Sequence, residues 1–123
     1  MLPTIEQDID AALKTVGAAG KVWNLINTTE PAVYPYIVFT IIPSSDNVTL
    51  EGPSDLQNTA VQVDCFDRTG AGAALLAKQA RVALLDYFST YPQSCVPQSG
   101  FSKYEAPVKA FRKSADYSIW STN

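Results

Sequence analysis

The chain contains no histidine, the side chain that most often serves as a general base or a metal ligand near neutral pH. Mechanisms of the Ser-His-Asp and Cys-His types are therefore excluded in their usual form. The remaining candidates for acid–base chemistry are Asp64 and Asp67. Asp64 is predicted to point outward from a strand, and Asp67 to lie where that strand gives way to a helix. Solvation and a turn or capping role explain both, so we predict no catalytic residue and no enzymatic activity.

Cys65 and Cys95 are the two cysteines of the chain. They are too few for a disulfide framework, and no second pair is present to complete a tetrahedral metal site. Cys65 falls inside a strand pattern, where a free cysteine packs as a small hydrophobic residue. We interpret the two as reduced thiols, although the sequence leaves a bond between them open, and we predict no metal site.

A glycine-containing segment, TGAGAAL at residues 69–75, follows a predicted strand and opens a helix, as a dinucleotide-binding loop would. Leu75 occupies the position that requires a glycine or alanine, and Tyr91 and Pro92 stand where a ribose-binding acid is expected. The chain also lacks the Gly-Lys-Ser/Thr triplet of a phosphate-binding loop. The segment is better interpreted as a helix entry, and we predict no cofactor.

A basic cluster near the C-terminal end is interleaved with aromatic residues, a composition found in platforms that stack single-stranded nucleic acid. It contains Lys103, Lys109, Arg112 and Lys113 together with Phe101, Tyr104 and Phe111. Because side chains alternate along a strand, Arg112 should point away from Phe111, which is predicted to lie on the apolar face. We interpret the cluster as a solvated edge strand protected by lysines. The net charge of −3 also gives no attraction to phosphates, so we predict no specific nucleic-acid binding.

The length and composition predict one domain over residues 1–123, since a chain of 123 residues with 46% hydrophobic content can bury a substantial core. The longest apolar stretch is far shorter than the roughly 20 residues that a membrane-spanning helix needs. Met1 is not followed by a basic and then apolar signal. We therefore expect a soluble protein made in a cytoplasm, with no membrane partner.

Two helices are predicted from apolar residues at helical spacing. The first covers residues 3–16, and the second runs from Gly70 and Gly72 to about Ser89. The apolar positions are Ile5, Ile9, Leu13 and Val16 in the first helix and Leu76, Ala80, Leu84 and Phe88 in the second.

Strands are predicted at Tyr36–Ile42, at residues 59–66, and in extended segments at residues 101–106 and 108–120, with a short apolar piece at residues 22–26. Tyr36–Ile42 is apolar on both faces and should be a central strand. The second face, formed by Tyr36, Val38 and Ile42, needs a cover from the chain itself or from a partner, and both remain open. Residues 44–54 are rich in turn formers and are interpreted as an exposed excursion. The order predicts an α+β fold, a mostly antiparallel sheet with two main helices packed against it.

Three segments together resemble the family of small phage tail completion proteins that join tails to heads, also called tail terminators. They are YPYIVFTI at residues 34–41, LEGPSDLQNTAVQVDCFD at residues 50–67 and AALLAKQARVALLDYF at residues 73–88. Their order, their spacing and the preceding helix carry the resemblance, which covers nearly the whole chain. The ADYSIW segment fits the closing strand of that family, whereas the proline-rich residues 92–100 are not diagnostic.

The resemblance implies a virion structural protein that assembles into a ring, typically a hexamer, at the end of the tail tube. Its implied partners are further copies of itself, the tail tube protein and the head–tail connector protein. Its implied location is the virion tail, after assembly in the host cytoplasm, and DNA would pass through the ring without specific binding. No cofactor is implied. From the length and polarity of the excursion at residues 44–54, we predict ring or lumen contacts at Asp46, Asn47, Glu51 and Asp55.

Two other interpretations remain open. A head-side connector adaptor or stopper would share the size and the ring habit of a tail terminator. A small ligand-binding or enzymatic α+β domain that uses Asp64, Cys65 and Asp67 would instead require a deep pocket with a perturbed carboxylate or thiol.

Overall fold

The structure is a computed structural model that describes residues 5–14, 22–24, 34–42, 57–89, 93–106 and 109–121. The elements in chain order are α1 (Ile5–Leu13), β1 (Val22–Asn24), β2 (Tyr36–Ile42), β3 (Gln57–Asp67), α2 (Gly70–Tyr87), β4 (Ser94–Glu105) and β5 (Ala110–Ser121).

The strands form one five-stranded sheet in the order β1-β2-β3-β5-β4. β1 pairs with β2 in parallel, and all the other neighbours are antiparallel. β3 and β5 pair along their whole lengths, from Gln57 opposite Ser121 to Asp67 opposite Phe111. The predicted α+β class with a mostly antiparallel sheet and two helices is therefore confirmed. β2 has the predicted bounds and lies inside the sheet, although β3 is the middle strand.

The core lies between the helices and one face of the sheet. The sheet contributes alternate residues of β2, β3 and β5, as a strand with one buried face should. The largest side chains that are almost fully buried there include Ile9, Leu13, Ile37, Phe39, Val61, Val63, Leu84, Phe88 and Ile119. The apolar stripe predicted for the second helix is confirmed, because Leu76, Ala80, Leu84 and Phe88 are all buried. Neither described helix is long and apolar enough to span a membrane.

Helix α1 is shorter than predicted and ends at Leu13, with Lys14 in a turn. The Lys14 ammonium lies 2.8 Å from the Asp10 carboxylate, one helical turn earlier. The start of the predicted helix, residues 3–4, and its end, residues 15–16, lie outside the described residues.

The last two strands differ from the prediction in extent and position. β4 begins at Ser94, inside the proline-rich stretch that carries no strand signal, and its pairing with β5 shifts register between Pro97 and Gly100. An edge strand tolerates a proline because its outward N–H needs no partner in the sheet. Gly100 is required by close packing, since a Cβ there would lie 2.6 Å from the Ser114 carbonyl oxygen.

The interpretation of the basic cluster as a solvated edge strand is confirmed for Lys103 and wrong for Arg112 and Lys113, because β4 is at the edge of the sheet and β5 lies between β3 and β4. Of the basic residues named above, only Lys103 belongs to the edge strand β4. Phe111 alternates with Tyr117 and Ile119 and so lies on the apolar face, as predicted, although it is 36% exposed. It lies past the end of the helix-covered core, opposite Asp67 and 3.5 Å from where a Cβ on Gly70 would be.

The second face of β2 is covered in part. Tyr36 and Val38 are buried within the chain, whereas Ile42 is 37% exposed. Tyr36 stacks on Phe66 of β3, with ring centroids 4.7 Å apart. The chain itself therefore covers one end of this face and leaves the other end open.

Candidate functional site

The contacts predicted at Asp46, Asn47, Glu51 and Asp55 lie outside the described residues, as does the whole excursion at residues 44–54. The structure therefore neither brings these side chains together nor separates them. They remain a prediction.

Asp64 is not the solvated side chain that strand alternation predicted, since only 8% of it is exposed. It lies on the face of the sheet opposite the main core and accepts hydrogen bonds from the Ser114 hydroxyl and the Gln62 side-chain amide, the latter at 3.1 Å. Ser114 faces Asp64 directly across the β3–β5 pair. A buried carboxylate needs such donors to offset its lost hydration, so these contacts are those of a structural group. The sequence does not indicate that Ser114 is the partner of Asp64, because the register between β3 and β5 is set by tertiary pairing.

Asp67 and Thr69 hold the entry of α2, which agrees with the predicted turn or capping role. The Asp67 carboxylate accepts a hydrogen bond from the Arg68 backbone N–H at 2.7 Å. Thr69 is the N-cap residue, and its hydroxyl accepts from the Gly72 N–H at 3.0 Å. A Cβ at Gly72 would overlap the Asp67 carboxylate and lie 2.8 Å from the Thr69 hydroxyl, so the glycine makes room for these caps.

Cys65 and Cys95 are free and buried thiols. Burial raises the pKa of Cys65 from 9.0 to about 12, with a further contribution from the nearby charge of Asp64. Burial likewise raises the pKa of Cys95 to about 11. A reactive cysteine needs a lowered pKa and access to solvent, and neither thiol has them.

The basic and aromatic residues of β4 and β5 divide between two faces, as alternation predicted. Arg112 lies over the Phe101 ring, 5.3 Å from its centroid, and forms an ion pair of 3.5 Å with Glu105. Tyr104 and Phe111 pack together with ring centroids 4.9 Å apart. The aromatic rings therefore already have protein partners, and they do not form a continuous stacking platform with the cations.

A second aromatic cluster was missed by sequence reasoning. Tyr34 contacts Tyr36 at 5.2 Å between ring centroids, and the Arg68 guanidinium lies 4.5 Å from the centre of the Tyr34 ring. Burial, together with Tyr34 and Glu105 nearby, raises the pKa of Tyr36 to about 12. The alternating aromatics at the start of β2 are a signal for this cluster, but the arginine contact depends on the β2–β3 pairing.

Two open cavities are bordered by described side chains. One, of about 210 Å³, is lined by Glu6, Gln7, Asp10 and Phe39. The other, of about 260 Å³, is lined by Pro35, Asp67, Gly72, Leu75, Leu76 and Gln79. Neither includes Asp64 or Cys65. Over the described part of the chain, no three cysteine or acidic side chains are grouped as metal ligands would be.

The comparisons with known proteins agree with this fold. Residues 7–121 match the family model described as Tail completion protein gp17. Among solved structures, a chain of the structure described as "Virion of native gene transfer agent (GTA) particle" superposes with a TM-score of 0.64. The two sequences are 10% identical, and the alignment covers 91% of this chain and 90% of that chain, so this likeness shows the fold alone. A search of curated proteins gave no significant match.

The family match covers most of the chain, which places the protein in the class of virion tail structural proteins. Within that class, the chain belongs to the Tail completion protein gp17 family. The resemblance noted from the sequence is thereby confirmed.

Proposed function

We propose that this protein caps the phage tail tube as an oligomeric ring and joins the tube to the head connector. The observation that carries the proposal is the match of residues 7–121 to the tail completion family. The proposed partners are other copies of the chain, forming a hexamer, together with the tail tube protein and the head–tail connector protein.

The arrangement of polar groups supports action through surfaces rather than through catalysis. Asp64 and Thr69 are each engaged in hydrogen bonds within the fold. The raised pKa values of Cys65 and Cys95 keep both thiols protonated near neutral pH. The exposed large apolar side chains, by contrast, lie on α2, on β4 and at the ends of β2 and β5, where other virion proteins could cover them.

The excursion at residues 44–54 and the adjoining Asp55 are proposed to line the ring contacts or the lumen, through the side chains of Asp46, Asn47, Glu51 and Asp55. The acidic side chains would repel the phosphates of passing DNA, and a conduit should not bind its cargo tightly. This placement rests on the position of the segment between two strands of the sheet, β2 and β3.

The proposal is tested by following tail assembly in the phage whose genome encodes this chain. We expect antibody label at the head-proximal end of isolated tails, and tails of irregular length when the chain is deleted. Charge reversal of Asp46, Glu51 and Asp55 together should impair ring formation, whereas the control Asp86→Lys on the exposed face of α2 should not. Normal tail length in the triple variant would contradict the placement of the loop.

The position of the antibody label also decides between the tail-side role and the head-side role. Label found on tail-less heads, with tails of normal length in the deletion strain, would identify a head-side connector adaptor or stopper instead.

A further inference from the structure

The two edges of the sheet carry opposite charge. The β4–β5 hairpin, over residues 94–106 and 109–121, contains four basic and two acidic residues, a net charge of +2. Helix α1 with Lys14 contains three acidic residues and one basic residue, a net charge of −2. α1 packs beside β1, at one end of the strand order, and β4 lies at the other end. Among the described residues, the edge of the sheet formed by the β4–β5 hairpin is therefore basic, and the edge beside α1 is acidic. Three of the four cations of the hairpin lie outside the edge strand β4, on which Lys103 is accompanied by Glu105.

The basic edge is also apolar and accessible. Phe101 of β4 is 48% exposed, and Lys103, two residues along on the same face of the sheet, is exposed as well. Tyr104 is 49% exposed and points to the opposite face. Arg112 is held by Glu105 and by the Phe101 ring. Lys103, in contrast, forms no ion pair with any described acidic side chain. Its ammonium group is thus available to a carboxylate on another molecule.

The acidic edge carries a recess that such a side chain could enter. Glu6 and Asp10 of α1 border the cavity of about 210 Å³, whose apolar wall includes Phe39 of β2. That volume is several times the roughly 30 Å³ that one water molecule occupies in the liquid. Asp10 is engaged with Lys14 in an exposed pair of the kind that contributes little to stability, so it can exchange partners. Asp8 instead accepts a hydrogen bond from the Tyr87 hydroxyl and belongs to the α1–α2 contact.

We propose that the β4 edge around Lys103 of one copy docks against the Glu6 and Asp10 recess on α1 of the next copy. Contact between unlike surfaces on opposite edges of one subunit is a heterologous interface, and such contacts repeat around a closed ring when the rotation per subunit allows closure. The inference rests on the proposed ring and assigns the surfaces that build it.

A charge-swap experiment tests the pairing. The association constant of the purified chain is measured by light scattering and sedimentation over a concentration series at low salt. We expect Lys103→Glu and Glu6→Lys each to weaken association at least tenfold, because each places like charges in contact. The double variant Lys103→Glu with Glu6→Lys should restore most of the loss. High salt should weaken association of the unchanged chain, since exposed charges are screened.

Lys78→Glu is the matched control, because Lys78 is exposed on α2, outside the two surfaces proposed to dock, and undergoes the same change of charge. Its association should equal that of the unchanged chain. Circular dichroism of each variant verifies that the fold is kept. Three outcomes would each overturn the assignment. They are association left unchanged by Lys103→Glu, a double variant that associates no better than the single variants, and a chain that stays monomeric at every concentration. If the antibody labels the tail end but Lys103→Glu leaves association unchanged, the proposed function is retained and only the docking surfaces are wrong. If the chain is absent from tails, the proposed function itself is wrong.

Discussion

Asp64 shows how a carboxylate can look solvated in sequence and be structural in the fold. It alternates with apolar residues on β3, which usually indicates exposure, yet Ser114 of β5 and Gln62 of its own strand donate hydrogen bonds to it. Ser114 is 1% exposed, so the pair is shielded from water. Hydrogen bonds to a buried charged group stabilise more than neutral ones, and loss of a donor leaves the charge poorly satisfied.

The first expected outcome concerns this pair. Ser114→Ala should lower the free energy of unfolding by about 1–3 kcal/mol, because the buried Asp64 carboxylate loses one donor. Ser102→Ala is the control, since Ser102 accepts a hydrogen bond from Lys113 at an exposed position and its loss should cost under about 0.5 kcal/mol. Urea denaturation measures both. Equal effects of the two substitutions would show that the Asp64 contact contributes no more than a surface one.

Helix α2 has two different faces, and this difference determines what each face does. Leu84 is fully buried against the sheet, whereas Leu75 and Val82 are 58% and 60% exposed. Thr69 caps the start of the helix, and its hydroxyl accepts a hydrogen bond from the Gly72 N–H. The inner face therefore stabilises the subunit, and the outer face is available to other molecules.

The second expected outcome separates these faces. Leu84→Ala should destabilise the protein by about 2–5 kcal/mol, since it removes buried apolar volume and leaves a cavity. Val82→Ala, two positions earlier on the same helix, should change the unfolding free energy by no more than about 0.5 kcal/mol. Thermal or urea unfolding of the two variants gives the comparison. A large loss in Val82→Ala would mean that the outer face of α2 is covered within the monomer.

At the scale of the whole molecule, the two faces of the sheet differ in what covers them, and its two edges differ in charge. Both helices pack on one face, while the other face holds the Asp64 cluster and the Tyr36–Phe66 stack. Along the strand order, the charge of the described residues changes from acidic at the edge beside α1 to basic at the β4–β5 hairpin. A subunit that differs at its two edges suits assembly into a directional ring, as the proposed function and the proposed docking both require.

The third expected outcome follows from titratable groups buried throughout this molecule. In the folded chain, burial raises the pKa of Cys65 from 9.0 to about 12, that of Cys95 from 9.0 to about 11, and that of Tyr117 from 10.0 to about 12. Above pH 9 the unfolded chain releases these protons while the folded chain retains them. The folded state then binds more protons, so its stability must fall as pH rises.

We therefore expect the unfolding free energy to decrease steadily between pH 9 and pH 11, and these groups to cause no change between pH 6 and pH 8. Urea titrations across this range measure the slope. Cys95→Ala serves as the internal comparison, because removing one raised thiol should reduce the slope. A profile that stays flat up to pH 11 would contradict the burial of these groups.

Much of the fold and little of the candidate interface could be predicted from the chain. Local patterns sufficed for β2 and for the buried stripe of α2, because periodicity alone reports which side chains share a face. β4 was missed at its start because Pro97 and Gly100 carry turn signals, and only pairing with β5 shows that an edge strand accommodates them. The contacts at Asp46, Asn47, Glu51 and Asp55 stay a prediction, because they fall outside the described residues.

The sequence by itself determined the α+β class, the buried faces of its main elements and the tail completion resemblance, since each depends on local spacing and on the order of segments. Tertiary structure decided the strand order, which put β5 inside the sheet and β4 at its edge. It also decided the pairing of Asp64 with Ser114 and the placement of opposite charges on opposite edges. These features depend on which distant segments become neighbours, and that choice is made by the packing of the whole chain.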